Sequence, residues 1–152
     1  METDEQKKRR LYEKQDLPLY LGELRKILKK EITASMLSSI INIKTDKIRK
    51  QNQAKQTRYF SKIFFTDKDK LEKIVLQDLD EVNNKYYIFT SYSKDCGTIL
   101  INSLRDFNFD FYFKDVPSGI VTLTREDLLK EIVLNFYEEN KVQYLDIEIL
   151  YE

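Results

Sequence analysis

The sequence predicts a chain that is α+β in its first half and α/β in its second, built on an N-terminal helix-turn-helix. Three observations lead there. Ile32–Lys50, ITASMLSSIINIKTDKIRK, reads as an apolar helix, a tight turn and a cationic helix. Residues 83–152 alternate strand-like with helix-like patterns, the signature of strands joined by crossover helices. Charge divides along the same line: residues 1–62 carry 16 Lys and Arg against 8 Asp and Glu, and residues 83–152 carry 7 against 12.

Composition narrows the function. At 152 residues, 41% hydrophobic and 12% aromatic, the chain can fill a core. His is absent and Cys96 is the one cysteine. That removes histidine bases, histidine-ligated metals, zinc knuckles and internal disulfides. A lone cysteine suits a reducing compartment, so a cytoplasmic location is expected. The longest uncharged run, Ile32–Ile43, has 12 residues, short of the roughly 20 that span a bilayer. Lys7–Arg10 runs into further charged residues and not into an apolar stretch, so neither a membrane span nor a signal peptide is expected.

Three segments follow. Residues 1–15 form a flexible basic arm. In 16–82, Asp16 caps a helix with Pro18 in its first turn. Its stripe is Leu17, Leu21, Leu24 and Leu28, widened by Tyr20 and Ile27. Thr33 caps the next helix, with Met36, Leu37, Ile40 and Ile41 inward. Asn42 suits the turn because asparagine tolerates left-handed backbone. Thr45 caps the third helix, anchored by Ile48. Arg58–Thr66, RYFSKIFFT, is aromatic and β-branched enough for a strand. Asp67 caps a helix with Leu71, Ile74, Val75 and Leu79 inward. Asn83-Asn84 marks the boundary.

In 83–152, Tyr86–Thr90 reads as a strand. Ile99, Leu100, Ser103, Leu104 and Phe107 fall at helical spacing. Phe109, Phe111 and Phe113 alternate as in a strand. Val121–Leu123 is a short strand. Thr124 with Asp127 opens a helix whose inward residues are Leu128, Leu129, Ile132, Val133 and Phe136. Tyr144–Ile149 closes with a strand. This order predicts a small parallel sheet of Rossmann type. Extended backbone over 98–103 would give a ferredoxin-like sheet instead.

LPLYLGELRKIL, then ITASMLSSIINIKTDKIRKQ, then an aromatic ribbon and DKDKLEKI, together resemble the winged helix-turn-helix domain of Rex-type redox-sensing transcriptional repressors. The likeness covers residues 16–80. Ile48-Arg49-Lys50 stands where that family has its valine-arginine-basic triplet, Ser38 where it has a small alanine and Asn42 where it has the turn glycine. The resemblance implies a wing at Tyr59–Phe65 with Lys62 near its tip. It extends more faintly into the second half, where the family carries a dinucleotide-binding domain, and implies a degenerate, truncated Rossmann-like unit. The family's G-x-G-x-x-G falls on Tyr92, Lys94 and Gly97, so one glycine is present. Asp115, 18 residues after Gly97, stands near the place of the ribose-binding acid. Gly97 and Asp115 are thus the candidate residues for NAD(H). With the first two glycines missing, the expectation is no cofactor.

The functional expectation is a DNA-binding regulator of repressor type, acting as a homodimer on double-stranded DNA. Lys44, Thr45, Lys47, Arg49 and Lys50 would meet the major groove, with Arg58 and Lys62 on the backbone or minor groove. Cys96 next to Asp95 gains no thiolate activation, because an adjacent carboxylate raises a thiol pKa. Asp106, Asp110 and Asp115 make no recognisable metal or acid/base set. Nothing assembles a nucleophile, a base and an oxyanion site, so no enzyme is expected. The alternative is a protein-interaction module of the phage or immunity-inhibitor kind, whose acidic second half meets a basic partner.

Overall fold

A computed structural model describes residues 2–38, 56–77 and 83–151. The architecture is mixed α+β. One six-stranded antiparallel sheet is ordered β1-β6-β5-β4-β2-β3. The strands are β1 (Gln56–Phe64), β2 (Tyr86–Phe89), β3 (Ile99–Ile101), β4 (Ile120–Arg125), β5 (Lys130–Glu139) and β6 (Val142–Tyr151). Among the described residues the helices are α1 (Asp4–Ile27), α2 (Lys68–Val75) and the single-turn α3 (Ser93–Cys96). Among the described residues, no helix is long and apolar enough to cross a membrane.

Helix α1 starts earlier than the sequence suggests. Thr3 and Gln6 close a reciprocal capping box, which satisfies two of the orphan amides at the helix start. Residues 4–15 are therefore helical and continuous with the Leu17–Leu28 stripe, and Asp16 and Pro18 lie inside the helix. Tyr20, Leu24 and Ile27 are buried on the inward face. After Leu28 the chain extends. Leu28 bridges Phe107, and the Asn108 amide donates to the Ile27 carbonyl. The helix expected from Thr33 is replaced, over the described part, by a 3-10 turn at Ala34–Met36 and extended backbone at Ser38, which bridges Thr98. Asn42, Ile48 and the rest of the expected turn and third helix lie outside the described residues, as does Leu79.

Period-2 alternation builds the sheet. Leu145, Ile147 and Ile149 of β6 face the core together with Ile132, Leu134 and Phe136 of β5. Val121, Leu123, Ile88 and Ile99 extend that face across β4, β2 and β3. Burying each such side chain contributes about 1.5–3 kcal/mol. Asn140 and Lys141, both at positive φ, make the two-residue turn between β5 and β6, the turn geometry whose twist matches that of hairpin strands.

The parallel sheet expected for the second half is therefore corrected to an antiparallel one. The helix expected from Thr124 is the β4–β5 hairpin. Leu128, Ile132 and Phe136 are spaced by four, close to one helical turn of 3.6 residues and twice the strand repeat of two, so their spacing could not separate the two. The helix expected at Ile99–Phe107 is β3 followed by a 3-10 turn at Leu104–Asp106. Extended backbone at residues 99–101 meets the condition for a ferredoxin-like sheet, but β4, β5 and β6 are joined as consecutive hairpins in the order β1-β6-β5-β4-β2-β3, which is not that of two β-α-β units. Phe109, Phe111 and Phe113 do alternate with exposed Asp110 and Tyr112 without belonging to a ladder, because the turn at 109–110 and the 3-10 turn from Phe113 set their rings against the core unpaired. The boundary expected at Asn83 does not divide the described residues. Strand β1 pairs with β6 along its length, and one core joins α1, α2 and all six strands.

Candidate protein-docking face

The sheet face opposite the core collects aromatic side chains. Register places Phe60 beside Glu148, Lys62 beside Asp146 and Phe64 beside Tyr144; Tyr144 in turn pairs with Tyr137. Phe64 stacks on Tyr144 with centroids 5.8 Å apart, and Tyr144 meets Tyr137 at 5.8 Å. These rings form a ladder across β1, β6 and β5. Phe60 and Phe64 are each 59% exposed. A paired ring normally hides much of its surface, so two such phenylalanines on one strand are an unusual concentration of wet apolar area.

Carboxylates frame the ladder. Asp146 accepts a hydrogen bond from the Tyr137 hydroxyl at 3.2 Å, and Glu148 accepts one from the Thr57 hydroxyl at 2.7 Å. Lys62 lies 4.4 Å above the Tyr144 ring and 3.9 Å from Glu139. Its ammonium is held above the usual lysine range, first by the hydrogen bond with Tyr137 and then by Glu139. The face thus already holds one cation against its rings and carboxylates.

A cleft of about 490 Å³ opens where β1 ends. Phe65, Lys68, Phe111, Tyr112, Phe113 and Gln143 are among its walls. The Lys68 ammonium donates to the Phe111 carbonyl at 2.9 Å and sits 3.5 Å from the Phe65 ring centroid. Burial pushes its pKa down to about 8, while Asp110 and Asp115 pull the other way.

A third cluster is internal. The Tyr20 hydroxyl donates to the Gly97 carbonyl at 2.9 Å and shares a hydrogen bond with Ser93 at 3.0 Å. Ser93 also accepts from the Thr90 amide. Glu23 is buried next to this group, and among the described residues no donor closes a hydrogen bond on either of its carboxylate oxygens. Burial raises the Glu23 pKa, and the nearby Thr90 hydroxyl offsets part of that rise.

The residues singled out in the sequence fall apart in space. Lys44, Thr45, Lys47, Arg49 and Lys50 lie outside the described residues. Arg58 is the extra residue of a bulge in β1, between Thr57 opposite Leu150 and Tyr59 opposite Ile149. Lys62 is mid-strand on the aromatic face, with β1 at the edge of the six-stranded sheet. Gly97 ends α3 at φ 90°, where an added Cβ would lie 2.4 Å from the Ser38 carbonyl oxygen. It makes a turn and a close backbone approach to Ser38. Asp115 lies in the 3-10 turn Phe113–Asp115, its carboxylate accepting from the Tyr112 amide. It does not end a strand, which corrects its expected place as a ribose-binding acid.

Sequence reasoning missed Phe64, Tyr144 and Tyr137 as a set, and Lys68 altogether. The signal for the first was Tyr137 and Tyr144 placed symmetrically about Asn140-Lys141, the arrangement of facing residues in a two-residue hairpin. Lys68 had none, because Phe111, which holds its ammonium by carbonyl and ring, comes from a distant segment. Comparison with family models, curated proteins and solved structures gives no match for this chain.

Proposed function

We propose that the chain is a protein-interaction module that docks a basic protein partner on the β1–β6–β5 face. One observation carries this reading: Phe60 and Phe64, each 59% exposed, stand on a sheet face framed by Glu139, Asp146 and Glu148. Protein interfaces concentrate aromatic anchors at their centre and polar groups at the rim. Carboxylates around apolar rings select a partner rich in Lys and Arg and speed its approach. The surplus of acid over base in residues 83–152 extends the same sign of charge beyond the face.

The test is site-specific photo-crosslinking in extract of the source cells. A benzophenone amino acid replaces Phe60 in one sample and Leu19, equally exposed on α1, in a control. The reading expects one discrete protein adduct of high isoelectric point from position 60, absent from position 19. It expects that adduct to disappear when Asp146 and Glu148 are changed to lysine. Equal adducts from both positions, or adducts removed by nuclease, would overturn it.

A second reading is a homodimeric DNA-binding regulator of winged helix-turn-helix type, using residues 44–50 with Arg58 and Lys62. The balance of 16 Lys and Arg against 8 acids in residues 1–62 favours it. It requires affinity for labelled duplex DNA that falls steeply with salt and falls again when Lys47, Arg49 and Lys50 become alanine. Salt-independent retention, or none, would exclude it.

A further inference from the structure

We propose that the cleft at the end of β1 binds small aromatic aldehydes and that the Lys68 amine condenses with them reversibly to an imine. The cleft, about 490 Å³, falls within the usual size range of small-molecule sites. Phe65, Phe111 and Phe113 give it ring-lined walls, with Phe65 making edge contacts to both others at 5.6 and 5.2 Å. These three rings come from two segments distant in sequence and are braced from behind by Phe136. Such walls favour a flat apolar ligand by dispersion and offset ring contacts.

One wall residue, Lys68, carries a primary amine. The Phe111 carbonyl fixes its position through the 2.9 Å hydrogen bond. Asp110 and Lys114 line the cleft with Lys68, and Asp110 and Asp115 favour the ammonium. Even with that support, burial brings Lys68 from the ordinary 10.5 to about 8. At neutral pH its free-base fraction is then roughly 300-fold that of an ordinary lysine. The condensation needs no oxidant or reductant. The nitrogen lone pair attacks the carbonyl carbon, and C=N replaces C=O. The two amine protons leave with the carbonyl oxygen as water.

The test uses the full chain with benzaldehyde and sodium cyanoborohydride, which traps the imine as a stable benzylamine. Sites are read by peptide mass spectrometry from pH 6 to 9. Lys68 is expected to be labelled at least tenfold faster than Lys70 and Lys73 of the same helix, with a rate midpoint near pH 8. Phe113→Ala, checked for folding by circular dichroism, should remove most of that preference. Acetaldehyde, which has no ring, should show little of it. Labelling of Lys68 no faster than Lys70 would overturn the proposal and leave the amine as a brace for the Phe111 loop. A preference unchanged by Phe113→Ala and equal for both aldehydes would overturn the ligand class. The chain's α-amino group, of similar basicity, serves as the internal standard.

Discussion

Replacing Tyr20 with phenylalanine removes one oxygen and tests how α1 is fastened to the sheet. That oxygen is fully buried and makes two hydrogen bonds, to the Gly97 carbonyl at 2.9 Å and to the Ser93 hydroxyl at 3.0 Å. Ser93 keeps its bond from the Thr90 amide in the variant, so the Gly97 carbonyl is the group left worst off. A net hydrogen bond contributes about 1 kcal/mol, and a stranded buried acceptor costs about 1–3 kcal/mol. The expected loss is therefore roughly 2 kcal/mol, or about 4–8 °C in Tm for a domain of this size. Urea unfolding followed by circular dichroism measures it as a lower midpoint at unchanged slope. Ser93→Ala should cost a similar amount, and the double variant less than the two together, because one bond is shared. A Tyr20→Phe loss below about 0.5 kcal/mol, or strict additivity, would refute the hydrogen-bonded anchor.

Other outcomes follow from the same geometry. Burial raises the Glu23 carboxyl pKa in the folded chain, so the native state holds its proton more tightly than the unfolded state does. Stability should fall as pH rises from the ordinary glutamate range through that raised value. Glu23→Gln should flatten the fall and raise the urea midpoint at pH 7; an unchanged pH profile would count against the buried acid. Gly97→Ala adds a Cβ 2.4 Å from the Ser38 carbonyl oxygen at φ 90°. It should cost about 1–3 kcal/mol and speed amide exchange at Ser38 and Thr98, whereas wild-type exchange there would contradict the close approach. Phe111→Ala opens the aromatic cluster with Phe65, Phe107 and Phe136. Thermal melts should show a loss of about 3–5 kcal/mol, far above that of Tyr112→Ala at the exposed neighbouring position.

Much of the local pattern was legible in the chain. The Leu17–Leu28 stripe, Leu71, Ile74 and Val75 of α2, and the strands at Tyr86, Val121 and Tyr144 stand where their periodicity places them. The errors arose where one pattern fits two structures. Leu128, Ile132 and Phe136 satisfy a helix or a strand equally, and choosing the helix turned a hairpin into a crossover. That choice produced the parallel sheet, while the dinucleotide motif around Gly97 came from the family resemblance. The turns over Phe109–Phe113 mimicked a strand because burial alternates there without ladder pairing. Pairing of β1 with β6 was not readable at all, since register between segments about ninety residues apart leaves no local signal. The docking face was hidden for the same reason. Phe64, Tyr144 and Tyr137 become a ladder only after that pairing, and Lys68 meets Phe111 only after the loop folds back.

The most direct measurement of the central claim is the affinity of the protein captured at position 60 for face variants of this chain. Phe60→Ala with Phe64→Ala should weaken binding about thirtyfold or more, the scale of lost anchor residues at roughly 2 kcal/mol. Glu148→Lys should slow association and reduce its salt dependence. Both variants should keep the wild-type unfolding midpoint within about 1 kcal/mol, since these side chains are on the surface. Unchanged affinity in the double alanine variant, with the fold intact, would contradict docking on the β1–β6–β5 face.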